Sequence, residues 1–148
     1  MNDTGTGRCL CGVTTYEYKG PVRFQGHCHC ESCRRNCSAP FTSYFGVPSE
    51  TMHWTGAVPG VFNSSVAVRR SFCTTCGAPM AFESDAYPSE VHLYAASLDD
   101  PTTFQPTFHL FYNQRLPWVD CATDGLKKFP GNGNSGLLRD TPLTKTIC

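Results

Sequence analysis

The sequence is poor in charged residues, and its charges balance. Of 148 residues, 16% are charged, with 12 Lys and Arg against 12 Asp and Glu. Proteins that bind nucleic acid usually present a positive surface, because they must neutralise the phosphates that they contact. We therefore do not expect this chain to bind nucleic acid.

Long apolar runs are also missing. No stretch of the sequence approaches the roughly 20 apolar residues that a membrane-spanning helix needs. Residues 1–7 contain neither the basic segment nor the apolar segment of a secretory signal peptide. We expect a cytoplasmic protein that does not enter a membrane, in a reducing compartment that keeps thiols free of disulfide bonds.

A sustained helical period is absent as well, since apolar residues do not recur three and four positions apart. Short runs of β-branched and aromatic residues alternate instead with Gly, Pro, Asn and Ser, which is typical of strands joined by turns. The predicted strands cover residues 13–18, 22–26, 41–47, 65–72, 79–83, 90–96 and 108–112. One short helical turn is predicted over residues 31–36. The sequence thus predicts an all-β domain, and its Gly- and Asn-rich end predicts a flexible tail over 131–148.

Cysteine, by contrast, is abundant. There are ten, and seven of them form three close groups: Cys9 and Cys11; Cys28, Cys30 and Cys33; Cys73 and Cys76. Cysteines one residue apart cannot easily form a disulfide with each other, so this spacing favours metal binding. Zinc takes four ligands at the corners of a tetrahedron. Two pairs would complete one closed site, which is typical of structural zinc, whereas the triplet would leave one position open, as in catalytic zinc sites.

Four segments in this order resemble a known family: residues 7–12, 27–35, 70–77 and 109–118. Together they are similar to the glutathione-dependent formaldehyde-activating family, also called the centromere-protein-V-type domain, over residues 7 to 130. The resemblance implies an Mss4-like all-β fold, in which small antiparallel sheets pack around zinc knuckles. It also implies two zinc sites. The structural zinc would be bound by Cys9, Cys11, Cys73 and Cys76, and a second, labile zinc by Cys28, Cys30 and Cys33.

The activity that the resemblance implies is that of a zinc-dependent carbon–sulfur lyase or thiol-adduct enzyme. Its reaction would be the addition of glutathione to formaldehyde, the reverse reaction, or chemistry on a related thioether. A substrate thiol at the open zinc position would lose its proton, and the thiolate is the form that attacks a carbonyl carbon. Cys28, Cys30 and Cys33 are therefore the predicted catalytic residues. The expected partner is glutathione or another small thiol or thioether, and a homodimer is one option for the assembly.

Glutathione is anionic, so its binding requires cations or backbone amides. Arg34 and Arg35 directly follow the triplet, and Arg70 precedes the second cysteine pair, so all three are predicted substrate-binding residues. Arg69 and Arg70 should face opposite ways on an alternating strand, with one of them solvated. Tyr44 lies on the strand after the triplet and is predicted to line the site. For Arg34 and Arg35 the alternative is a surface position, or neutralisation of the thiolate cluster.

Several residues leave alternatives open. His27 or His29 could supply a fourth zinc ligand or relay a proton. Cys37 could close the second site as its fourth ligand, form a disulfide with a member of the triplet, or be a small buried apolar residue. Trp118 is expected in the core, and the role of His109 does not follow from the sequence. A closed second site would favour a non-catalytic zinc-binding interaction module, and reactive thiols in the triplet would favour a redox sensor.

Overall fold

The computed structural model describes residues 3–121, 123–134 and 136–138, which form eleven strands and one α-helix. The strands are β1 (Thr4–Arg8), β2 (Thr15–Lys19), β3 (Phe24–Cys28), β4 (Thr42–Pro48), β5 (Met52–Trp54), β6 (Gly60–Ser65), β7 (Val68–Phe72), β8 (Pro79–Ser84), β9 (Glu90–Tyr94), β10 (Phe108–Leu110) and β11 (Lys127–Lys128). The helix α1 spans Glu31–Cys37, and single 3₁₀ turns span Ser49–Thr51, Ala95–Ser97, Pro101–Thr103 and Tyr112–Gln114. Most of the predicted tail, residues 139–148 and Ser135, lies outside the described residues.

The strands form two sheets. One has the order β1-β2-β5, and the other has the order β11-β10-β3-β4-β9-β8-β7-β6. Neighbouring strands are antiparallel except around β10, which runs parallel to both β3 and β11. The prediction of an all-β fold built from small sheets is confirmed.

Each of two buried clusters includes cysteines from a different predicted metal site. The larger cluster contains the fully buried Tyr16, Phe45, Met80 and Leu93, and it includes Cys9 and Cys73. The smaller cluster contains Cys28, Cys33, Tyr44 and Tyr94. The packing of apolar side chains therefore places the first and second cysteine groups in separate parts of the molecule.

Helix α1 confirms the helical turn predicted near residues 31–36. It starts after Cys30, whose Sγ accepts a hydrogen bond from the backbone N–H of Cys33 over 3.4 Å, as a capping side chain does. It ends at Ser38, which has a left-handed φ of 50°. Within the described part of the chain, no helix is long and apolar enough to cross a membrane.

The strand prediction differs from the structure at the β6–β7 hairpin and at β1. The strand predicted over residues 65–72 is confirmed for its second part, β7 (Val68–Phe72), but its start is wrong, because the chain turns back at Val66 and Ala67 to form the β6–β7 hairpin. Strand β1 was not predicted, since it has few apolar residues. It forms because its backbone pairs with β2, and Gly7 is required there: a Cβ at this position would clash with the ring of Tyr16.

Candidate metal centres and the adjoining pocket

The first candidate metal centre brings together two cysteine pairs that are distant in sequence: Cys9 and Cys11 with Cys73 and Cys76. Their sulfur atoms all lie within 4.8 Å of one another. The Sγ of Cys11 lies 3.5 Å from that of Cys9 and 3.8 Å from that of Cys73. Sulfurs bound to zinc at 2.3 Å in a tetrahedron would be about 3.8 Å apart. The four residues therefore fit a structural zinc ion.

Two tight turns give this centre its shape. The N–H of Gly12 donates to the carbonyl of Cys9, and the N–H of Gly77 donates to the carbonyl of Cys73. Both glycines have left-handed backbone conformations, with φ of 79° and 74°, which favour residues without a Cβ. Hydrogen bonds from the Thr14 side chain and the backbone N–H of Cys76 lower the pKa of the Cys73 thiol to about 5. The surroundings of Cys73 thus favour the thiolate form that zinc binds.

The second candidate centre consists of Cys28 at the end of β3, Cys30 before α1, and Cys33 within α1. Their sulfur atoms also lie within 4.8 Å of one another. Cys28 and Cys33 are buried, whereas Cys30 is partly exposed. The three sulfur donors fit a zinc ion that keeps one position for another ligand, because Cys30 is partly exposed to solvent.

The Sγ atom of Cys33 accepts hydrogen bonds from two buried side chains. The hydroxyl of Tyr44 donates to its Sγ over 3.6 Å, and Nη2 of Arg70 donates to the same atom over 3.8 Å. Hydrogen bonds from Cys28 and Cys30, together with Tyr44 and the charge of Arg70, hold the pKa of the Cys33 thiol well below its ordinary value. The pKa of Cys28 is raised, chiefly by its contacts with Cys30 and Cys33. Negative charge in the triplet therefore concentrates on the sulfur next to the arginine.

The structure places Arg70 behind the triplet rather than at an outer surface. It is only 5% exposed. Its Nη1 donates to the Tyr44 hydroxyl and its Nε to Oγ of Ser64, while the guanidinium lies over the ring of Phe82 at 5.1 Å. Arg69 faces the opposite way and pairs with an acidic residue at the surface, as the alternation of the strand predicted.

Arg34 and Arg35 lie on the side of α1 that borders a surface pocket of about 440 Å³. The pocket is lined by Glu31, Arg34, Arg35, Ser38, Ala39, Pro40, Leu116 and Trp118. Nε of Arg34 donates to the carbonyl of His29 over 2.9 Å, and Nε of Arg35 pairs with Glu31 over 2.8 Å. Trp118 is 69% exposed, so its predicted place in the core is wrong. Residues 115–120, which follow the 3₁₀ turn Tyr112–Gln114, run along the surface, so the Trp118 indole does not pack into a buried cluster.

Cys37 does not belong to the three-sulfur group that the described residues form. Its Sγ lies 3.0 Å from the hydroxyl of Thr42, and it packs at the edge of the smaller buried cluster. This position agrees with a small packed residue and not with a fourth metal ligand.

His27 and His29 also lie outside the three-sulfur group. Nδ1 of His27 contacts Oγ of Ser43 at 2.9 Å. Nε2 of His29 contacts Nδ1 of His109 at 2.8 Å, and Nε2 of His109 contacts Oδ2 of Asp124 at 2.7 Å. The sequence reasoning missed this chain of contacts, since Asp124 follows His109 by 15 residues and no local motif joins them.

Comparisons with known proteins identify the family of this chain. A family model described as glutathione-dependent formaldehyde-activating enzyme (GFA) matches residues 4–114. The chain belongs to the GFA family. This GFA chain is 32% identical, over 76 residues, to an uncharacterized lyase of Schizosaccharomyces pombe. That match covers 51% of the chain and 55% of the relative, so the chain spans about half the length of this curated protein.

A crystal structure of a Rhodobacter sphaeroides protein has a similar fold to this GFA chain. The two superpose with a TM-score of 0.55 at 20% identity, over 64% of this chain and 87% of the other. At this identity the likeness supports the fold alone.

Proposed function

We propose that this protein is a zinc-dependent carbon–sulfur lyase or thiol-adduct enzyme that acts on glutathione adducts, such as the adduct with formaldehyde, or on a related thioether. The observation that carries the proposal is the three-sulfur group of Cys28, Cys30 and Cys33, in which Cys30 is partly exposed. The family description and the lyase name of the fission-yeast relative support a glutathione-related, lyase-type function at a coarser level.

The sulfur donors suit zinc, which binds cysteine thiolates well. Cys9, Cys11, Cys73 and Cys76 would hold the structural ion, and Cys28, Cys30 and Cys33 the second. When bound at the triplet, zinc would keep a substrate sulfur in its thiolate form and stabilise it as a leaving group. The nine cysteines among the described residues are all free of disulfide bonds, which supports a cytoplasmic location for such chemistry.

The buried Arg70 offsets the charge of the second site. Three thiolates around a divalent ion carry a net charge of about −1, and burying such a charge without a partner would be costly. Arg70 reaches Cys33, and both Cys33 and Tyr44 favour its charged form against the effect of burial. Burial raises the pKa of Tyr44 well above its ordinary value, so its hydroxyl keeps its proton and serves as a donor. We assign positioning roles to both residues.

The substrate would be held by the pocket on the outer side of α1. Arg34 and Arg35 offer cations for the carboxylates of a tripeptide. Leu116, Pro40 and Trp118 supply an apolar wall on the same pocket. Arg34 is oriented by its hydrogen bond to the carbonyl of His29, directly before Cys30. Arg35 is exposed and paired with Glu31, so a substrate carboxylate can replace this partner at low cost.

In the adduct-forming direction, the substrate thiolate attacks the carbonyl carbon. A carbon–sulfur bond forms, the carbonyl π-electrons move to oxygen, and that oxygen takes up a proton. In the lyase direction the hydroxyl proton is lost, the carbonyl reforms, and sulfur leaves with the electron pair of the carbon–sulfur bond. Both directions need the same bound thiolate, which is the species that the triplet would stabilise.

The decisive experiment measures adduct formation by zinc-loaded protein with glutathione and formaldehyde, using exchange-sensitive NMR to obtain rates above the spontaneous reaction. The Cys30→Ser variant should lose this acceleration, whereas the matched control Cys37→Ser should retain it. Glutathione binding without acceleration would argue for a different thioether substrate. An absence of both binding and acceleration would overturn the enzymatic proposal and favour a zinc-binding interaction module.

A further inference from the structure

A third group of metal-ligating side chains lies apart from both cysteine centres. His29, His109 and Cys121 each offer one ligand atom, and these atoms lie within 4.8 Å of one another. We call these residues the His29 cluster. The two histidines are 0% and 1% exposed, and Cys121 is nearly as well buried. Side chains with this chemistry, brought together away from water, are a suitable ligand set for zinc.

The hydrogen bonds of His109 decide which of its nitrogens is available. Its Nε2 lies 2.7 Å from the carboxylate of Asp124, so Nε2 carries the proton and donates it. Its Nδ1 is then an unprotonated acceptor that faces Nε2 of His29 at 2.8 Å. A carboxylate behind a histidine, with the other ring nitrogen turned towards the centre, is the usual arrangement around a ligating histidine.

Among the described residues, no hydrogen bond to the second ring nitrogen of His29, Nδ1, fixes the tautomer of this side chain. This nitrogen is also buried. The proton on Nε2 can therefore move to Nδ1 without the loss of another protein hydrogen bond. This shift would leave two unprotonated nitrogens, Nε2 of His29 and Nδ1 of His109, facing each other beside the thiol of Cys121.

We propose that His29, His109 and Cys121 form a third metal site, which binds a divalent ion of the zinc type, with Asp124 as the hydrogen-bond partner of His109. A thiolate at Cys121 and the Asp124 carboxylate would together offset most of the positive charge of the ion and of Lys128. Lys128 contacts the other oxygen of Asp124 at 3.2 Å. The site would be independent of the enzymatic proposal, since it uses none of the triplet cysteines.

The separation of the two histidine nitrogens is close to that expected around a bound zinc ion. Two nitrogens bound tetrahedrally at 2.0–2.1 Å from zinc would be about 3.3 Å apart, and Nε2 of His29 lies 2.8 Å from Nδ1 of His109. The rings would separate by about half an ångström. Such an ion would tie β3 and β10 to the segment that contains Cys121 and Asp124. Because His29 lies between Cys28 and Cys30, it would also hold the chain that forms the second centre.

The first test counts zinc ions in untagged protein, purified under reducing conditions and reconstituted with zinc. Wild-type protein should bind three ions per chain and the Cys121→Ser variant two, while the control Cys37→Ser should bind three. The Asp124→Asn variant should retain the site with affinity weakened by about 10- to 100-fold. Equal zinc counts in wild-type and Cys121→Ser protein would overturn the proposal, and would leave the histidines as a hydrogen-bonded pair.

A second measurement needs no variant and covers the case in which Cys121→Ser does not fold. X-ray absorption at the zinc edge of fully loaded wild-type protein should show imidazole scattering, corresponding to two histidines for every three zinc ions. The two cysteine centres alone contribute sulfur ligands and no imidazole. A spectrum without imidazole scattering would contradict the third site, even if three ions were counted.

Discussion

Nη2 of Arg70 lies 3.8 Å from Sγ of Cys33, although the two residues are 37 positions apart. The eight-stranded sheet explains this contact. Arg70 on β7 is opposite Phe82 on β8, and its guanidinium extends over that ring towards Tyr44 on β4. A buried cation thus lies directly behind the most acidic sulfur of the second cysteine centre.

Replacing Arg70 by methionine should weaken the second zinc selectively. The apolar stem would be kept, but the charge that offsets the thiolates would be lost. We expect zinc affinity at Cys28, Cys30 and Cys33 to fall by about 10- to 100-fold, as measured by competition with a chelator of known affinity. The first centre should be unaffected. Arg69→Met is the matched control, since this neighbour pairs with Asp85 at the surface, and equal losses in both variants would contradict the role of Arg70.

The Cys73→Ser variant should lose stability rather than only activity. Cys73 is fully buried in the larger core cluster, and its candidate metal site joins two turns that are distant in sequence. Because the unfolded chain does not hold the ion in this way, its binding energy adds to folding. Thermal unfolding should occur at a clearly lower temperature, and a strong chelator should have the same effect on the wild-type protein. Unchanged unfolding of Cys73→Ser, with Cys37→Ser as control, would show that no structural metal is bound there.

Replacing Arg35 by alanine should impair substrate binding more than turnover. Arg35 is exposed, where an ion pair with a carboxylate contributes little, so we expect KM for glutathione to rise only about two- to fivefold with kcat nearly unchanged. Arg8→Ala is the control, since Arg8 pairs with Asp99 away from this pocket. Steady-state kinetics distinguishes the two outcomes. An unaltered KM would remove Arg35 from the substrate site.

Stability should fall as the solution becomes acidic, in part because of His27. Burial, reinforced by the nearby His109, lowers the pKa of His27 from 6.5 to about 4. The folded protein therefore holds this side chain neutral, whereas the unfolded chain takes up a proton below pH 6.5. Its contribution is complete above pH 6.5 and is lost as the pH falls towards 4. The change in unfolding free energy due to His27 should stay below about 1.4 kcal/mol per pH unit, the limit for a difference of one bound proton. It should be smaller because His27 keeps partial contact with solvent.

This pH effect is measured by denaturant unfolding at several pH values in a fixed excess of zinc. The His27→Gln variant should show a shallower decline between pH 6.5 and 4 than the wild-type protein. His53→Gln, at an exposed position, should follow the wild-type curve. If His27→Gln declines as steeply as the wild type, the acid sensitivity comes from other groups, such as the metal-binding thiolates.

The sequence by itself determined the all-β class, the short helix after the triplet and the grouping of the seven cysteines. These features depend on local chemistry: alternating strand residues, a side-chain cap, and glycines that permit tight turns beside the sulfur ligands. It also determined that Arg69 and Arg70 face opposite ways, because side chains alternate along a strand.

Only the tertiary structure decided which of those features meet. The position of Arg70 next to Cys33 depends on the order of β7, β8, β9 and β4 in the sheet. The spacing of residues along the sequence does not reveal that order. His109 reaches His29 because β10 pairs in parallel with β3, a non-local pairing that places His109 opposite His27. Trp118 is exposed because residues 113–120 run along the surface. Contacts between distant segments follow from how the strands pack together, whereas turns and metal-ligand spacing follow from neighbouring residues.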